Sequence, residues 1–285
     1  HRTLSGEKRG SLLEVIDQTT TPMGARLLSM HLSAPLTDLK ELAQRFEGLD
    51  FLYQNPSLMQ ALRAVLTCCP DLERPLSRLM WGRGGPRDLA LLNRGVQLIP
   101  NVQKIFKNHD IPNSLRVLLN QLGNYETLTA TLDCALKDDL PHLTRDGGFI
   151  RPGYHAELDA LLNLKNNSQG ALEELQRKYS AETGIASLKI KHNNIVGYHI
   201  EVTSQHKDKL GPEFIHRQTM ANAMRFTTPE LAELEKKMIS ALGQALSLEH
   251  QLFQELVDEV ITQANAIIAT TQALAALDVW ASHAH

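Results

Sequence analysis

The sequence predicts a mainly α fold with a small antiparallel β domain inserted at the tip of two long antiparallel helical arms. Three observations carry that expectation. Apolar residues recur at three- and four-residue steps along most of the chain. The period drops to two across SLKIKHNNIVGYHIEVT, residues 187–203. After TTPELAELEKKM the helical step runs for about forty residues, or ~60 Å at ~1.5 Å per residue, interrupted only by Gly243. The expected organisation is a helical core over 1–154, an outgoing arm over 155–183, a β unit over 184–228, and a returning helix with the end of the core over 229–285.

Composition bounds the function. The chain has 285 residues, 42% apolar and 21% charged, with a formal charge of −3. That excludes wholesale disorder and a chain that is basic as a whole, so any nucleic-acid role must come from a local patch. Cys68, Cys69 and Cys134 form no CxxC and read as free thiols in a reducing cytoplasm. No apolar run approaches ~18 residues, so no membrane span is expected, and no secretory leader is recognised. His1 at the start and an apolar helical pattern running into His285 suggest a fragment of something longer.

The elements follow in order. Threonines before Pro22 form a helix start, and Pro35 should end that helix. Leu39, Leu42, Phe46, Leu49 and Leu52 share one helix face, with Thr37 or Asp38 as cap. SLMQALRAVLTCC and PDLERPLSRLM read as short helices before a glycine-rich break at WGRGGPRDL. RDLALLNRGVQLIPNVQKIF and NSLRVLLNQLGNYETLTATLDCALK each read as one helix, and RDGGFIRPGYHAELDALL opens with a loop. Leu158, Leu161, Leu162, Leu172, Leu175 and Tyr179 mark the outgoing arm, although NNSQG at 166–170 is poor helix material. Gly184 ends it.

In the β unit, Leu188 and Ile190 face one way and Lys189 and Lys191 the other. Asn193-Asn194 suits a tight turn. Val196, Tyr198, Ile200 and Val202 fall on one face of the return strand, and Gly197 suggests a bulge or a close backbone approach. Thr227 or Thr228, followed by Pro229, restarts helix.

Charge is uneven. Between Gly184 and Thr228, six basic residues face three acidic ones, a net of +3; the rest, with 23 basic against 29 acidic, is −6. His192, His199, His206 and His216 add latent positive charge. A basic tip on an acidic body suits contact with nucleic-acid phosphate. A solvated lysine face is the competing reading. Aromatics are few (Tyr198, Phe214, Phe226), so base stacking is not indicated.

Five segments in order, GSLLEVIDQTTTPMGARLLSMHLSAPLTD, ERPLSRLMWGRGGPRDL, GFIRPGYHAELDAL, SLKIKHNNIVGYHIEVT and FIHRQTMANAMRFTTPELAELEKKM, resemble the core and clamp regions of the bacterial MutS family of DNA mismatch-repair proteins. The resemblance covers nearly the whole chain and includes the hairpin. It implies a core, or lever, domain interrupted by a clamp that embraces duplex DNA without reading its sequence. It implies lever helices that couple the clamp to an ATPase domain absent from this chain. It further implies a homodimer, a MutL-type partner, and a cytoplasmic, nucleoid-associated location in bacteria. On the family's pattern the DNA-facing residues are Lys189, Lys191, Asn193, Asn194, His216, Arg217 and Asn222. His216 stands where relatives often have Arg, and Ala221 where they often have Lys, so the expected attraction is either weaker or carried by Lys191 instead.

No G-x-x-x-x-G-K-[ST] phosphate loop occurs: GEKRGS at 6–11 and GRGGPR at 82–87 lack its spacing. This chain is therefore expected to be no enzyme and to hold no cofactor, ATP and Mg belonging to the missing domain. Glu213 and His216 form a single Glu-x-x-His in an expected loop and read as coincidence. His283 and His285 read as helix-end surface, Asp17, Asp38 and Asp133 as caps or surface, and Glu249-His250 as a solvated face. Arg78, Arg83, Arg87 and Asp88 are expected to form a polar cluster at the glycine break. The rival function is a helical scaffold presenting a tip domain to a protein partner without DNA.

Overall fold

A computed structural model describes residues 10–193 and 195–285, without the side chains of Lys165, Asn166 and Gln169. Asn194 lies outside the described residues. The architecture is mainly helical with a small four-stranded antiparallel sheet. The chain folds as two units: residues up to Arg151 with Leu252–His285, and Pro152–Gln251.

In the first unit, α1 (Leu12–Ile16) is capped by Ser11, and α2 (Pro22–Ser33) by Thr21, whose Oγ1 accepts from Gly24 N at 2.9 Å. In α3 (Leu39–Gln54) the Asp38 carboxylate accepts from Lys40 N and Glu41 N. Next come α4 (Pro56–Thr67), α5 (Glu73–Met80) and α6 (Pro86–Val96). At the glycine break Asp88 accepts from Gly85 N at 2.8 Å and lies 3.4 Å from Arg78 Nε. Arg78 also reaches Arg83 O, whereas Arg87 turns to Leu140 O and His142.

Two predicted helices are each split. RDLALLNRGVQLIPNVQKIF forms α6 and α7 (Ile99–Phe106). Pro100 has no N–H and its ring would strike the carbonyl four residues back, so it occupies the first turn of a new helix. The next stretch forms α8 (Asn113–Asn120) and α9 (Glu126–Ala135). The break falls at Gly123-Asn124, where Asn124 Oδ1 accepts from Glu126 N and Gly123 N donates to Thr270 Oγ1.

In the second unit, α10 (Ala156–Thr183) runs unbroken through 166–170 and ends on Gly184 at φ 65°. The strands are β1 (Lys189–Asn193), β2 (Gly197–Val202), β3 (Ile215–Thr219) and β4 (Met224–Thr227), in spatial order β1-β2-β4-β3. α11 (Pro229–Thr262) follows, capped by Thr228, whose Oγ1 accepts from Leu231 N. One face of the sheet, with Ile200, Val202 and Phe226, packs on Leu172, Leu175 and Tyr179 of α10 and Leu231 of α11. Tyr179 O–H meets Thr228 Oγ1 at 2.6 Å, which ties the end of one long helix to the start of the other.

The returning helix also departs from expectation. Its step does not continue through Ile267: α11 stops at Thr262 and α12 (Ala264–His283) begins after Gln263. The β-branched run Val260-Ile261-Thr262 crowds the last turn, Thr262 Oγ1 back-bonds to Glu259 O, and Gln263 N reaches Val260 O. Glu249 is buried rather than solvated, because it continues the buried four-residue stripe of Ala241 and Ala245; His250 is exposed. α12 is buried on almost every side and forms the centre of the first unit, against α2, α3, α4, α5 and α8.

Candidate nucleic-acid interface

The hairpin is built by its turn. The closing pair is Asn193 with Gly197, so the loop holds three residues, not the two-residue Asn-Asn turn that the sequence suggests. Asn193 Oδ1 accepts from Ile195 N at 3.0 Å and Val196 N at 2.7 Å. The positive φ, 75°, is carried by Gly197, and no described non-glycine residue has one. A Cβ on Gly197 would strike the Glu235 carboxylate, which accepts from Tyr198 N at 2.8 Å. Glycine is therefore required twice over, by conformation and by close approach.

Alternation then separates the faces. Leu188, Ile190, Tyr198, Ile200 and Val202 turn toward the helices. Lys189, Lys191, Glu201, Gln218 and Arg225 fall on the opposite face by register. Lys189 is exposed and directly opposite Glu201, yet makes no ion pair among the described residues. Lys191 Nζ donates to Glu201 Oε1 at 2.6 Å. That hydrogen bond, outweighing a lesser effect of burial, holds the Glu201 carboxyl below its ordinary range.

The remaining predicted residues are dispersed. Arg217 is the extra residue at a bulge between His216 and Gln218, exposed and without an ion pair among the described residues. His216 is exposed, with its ring edge-on to Phe226 and Nε2 3.0 Å from Thr219 Oγ1. Asn222 is exposed in the β3–β4 turn, which Met220 N closes onto Ala223 O. Asn193 is engaged by the turn. Lys207 and Lys209, which the residue-level reading left out of the interface, are exposed on the 3-10 segment Ser204–Lys209. Glu201, Gln218 and Arg225 were also missed, because their grouping depends on which residues face one another across the strands.

Among the described residues, no group of three or more His, Cys, Asp or Glu is placed to hold a metal ion. A cavity of about 670 Å³ in the first unit is lined by Arg87, Arg94, Asp133, Asp138 and Arg151 among others. Its charges are largely engaged: Arg151 with Asp138, and Asp133 with Asn93 and Gln97. Burial pushes the Cys69 thiol up to about 12, too high for a thiolate nucleophile near neutral pH. Among the described residues, no single helix is long and apolar enough to cross a membrane.

Residues 1–284 match the family described as MutS domain III. A DNA mismatch repair protein MutS of Bartonella tribocorum is 48% identical over 98% of this chain and 31% of that protein. Those of Bartonella henselae and Bartonella quintana are each 45% identical, over 100% and 98% of this chain. The chain thus spans about a third of the length of these relatives. With a helical core, a basic four-stranded insert and this match along its whole length, the chain belongs to the MutS domain III family.

Proposed function

We propose that this chain grips duplex DNA by its phosphate backbone, without reading sequence, as the core and clamp of a mismatch-repair protein. The observation that carries the reading is the exposed set Lys189, Arg217, Lys207 and Lys209, without ion pairs among the described residues, on a segment of net charge +3 in a chain of −3. Phosphate contact needs fixed cations that water can reach, and these residues supply them. α10 and α11 carry the segment and couple it to a P-loop ATPase domain, with ATP and Mg, in the rest of the protein. Homodimerisation, a MutL-type partner and residence at the bacterial nucleoid belong to that whole protein.

Replacing Lys189 and Arg217 together by Ala is expected to weaken binding of a fluorescent duplex. The slope of log affinity against log salt should become shallower by about 1 to 2, at ~0.9 per lost phosphate contact. An unchanged slope with an unchanged melting curve rejects the site. A second reading, a protein partner at the same segment, is favoured by the exposed Ile195 (92%), Ile215 and Met220. Binding to an apolar partner should vary little with salt.

A further inference from the structure

Glu201 lies between two cations on the lysine face. Its Oε1 accepts from Lys191 Nζ at 2.6 Å, and its Oε2 is 3.8 Å from Arg225 Nε. Register builds this arrangement: Arg225 is directly opposite Glu201 on β4, and Lys191 is a diagonal neighbour on β1. The cations differ in freedom. The Arg225 side chain is only 17% exposed, and Gln218 Oε1 accepts from its Nη1 at 2.8 Å. Lys191 is half exposed on a flexible stem and can leave. The carboxylate oxygen on Lys191 sits where a phosphate oxygen would sit, with the same charge and at hydrogen-bond distance.

We propose that Glu201 is an internal competitor for phosphate: it occupies Lys191 in the free protein and weakens the grip of the sheet on DNA. The proposal rests on the DNA reading above. A phosphate that displaces Glu201 gains one contact from Lys191 but leaves the carboxylate beside incoming negative charge. Lys189 and Arg217 then supply the basal attraction, and Lys191 is a reserve contact restrained by its own sheet. A neutral isostere at 201 would release it.

The test titrates a fluorescein-labelled duplex against the chain at several salt concentrations. Glu201→Gln is expected to tighten binding about 3- to 10-fold at low salt and to steepen the salt slope by ~0.9, one added phosphate contact. Lys191→Met alone should leave affinity within about twofold, because an exposed pair holds the ammonium already. Lys191→Met in the Glu201→Gln background should abolish the gain. This non-additivity is what a merely structural ion pair would not produce. Glu201→Gln binding no tighter than the parent overturns the proposal. So does Lys191→Met weakening the parent by clearly more than about twofold, and that check stands even if Glu201→Gln does not fold. The paired Lys189→Ala and Arg217→Ala variant separates the two failures: if it binds DNA as the parent does, the DNA reading itself falls.

Discussion

At the scale of single residues, the first unit depends on a carboxylate that no sequence pattern marks. Asp278 is fully buried in α12. It accepts from Thr20 N, Thr20 Oγ1, Thr21 N at 2.8 Å and Thr21 Oγ1 at 2.6 Å, at the start of α2. The positive end of α2 and four donors replace the cation that a buried charge ordinarily requires. Gly24 is matched to it, since a Cβ there would strike the same carboxylate. Asp278→Asn keeps the volume but turns one acceptor into a donor facing donors. We expect a loss of about 2 kcal/mol in urea unfolding, from the unsatisfied buried groups. A second residue-scale prediction concerns pH. Burial is the largest single effect and would raise the Asp71 carboxyl, but the Arg26 hydrogen bonds at 2.7 and 2.8 Å, the Arg26 charge and the backbone donors of Arg74 and Glu73 together hold it low. The folded value then lies below the unfolded one, so this contribution is complete above the unfolded value of ~3.9 and is lost as pH falls through the folded value. Arg26→Gln should flatten the fall in urea midpoint between about pH 5 and pH 2. An acid limb as steep as the parent's would show that Arg26 does not set the Asp71 titration.

At the scale of elements, the turn between β1 and β2 sets where the lysines face. Gly197→Ala must both adopt φ near 75° and displace the Glu235 carboxylate from Tyr198 N. A cost of about 1 to 3 kcal/mol is expected from the strained conformation and the lost bond, read as a lower melting midpoint. A neutral effect would mean that the hairpin closes by another turn. The same element shows what was legible. The change of period at Leu188–Val202 located β1 and β2, but not β3 and β4, and sorted lysines from apolar residues, because alternation is a local property. The long helices were legible for the same reason, and α10 kept its period through 166–170 despite its poor formers. The turn was read too short: two asparagines imitate a type I′ signal, whereas the strands close at Asn193 with Gly197, and Gly197 carries a positive φ. The splits at Pro100, Gly123 and Thr262 were missed because apolar spacing persists across them. The Lys191–Glu201 pair depends on which residues face each other across strands, and the hidden Glu249 on what packs over it; neither is written in a one-dimensional pattern.

At the scale of the whole molecule, each unit has its own apolar centre. In Pro152–Gln251 it consists of Leu172, Leu175, Tyr179, Ile185, Leu188, Ile200, Phe226 and their neighbours, all within that span. In the other unit it gathers on α12, from Ala264 to Ser282. α11 is the one helix whose residues belong to both. Separate cores imply that local opening in one unit need not open the other. Hydrogen exchange followed by mass spectrometry distinguishes this from a single cooperative block. Asp278→Asn is expected to speed exchange in α2 and α12 and to leave β1–β4 at the parental rate. Gly197→Ala should do the converse, with faster exchange in β1 and β2 and none added in α12. The two effects should meet only along α11, whose residues belong to both units. If either substitution loosens both units equally, the cores are energetically one, and the sheet then reports on the state of α12 as directly as on its own turn.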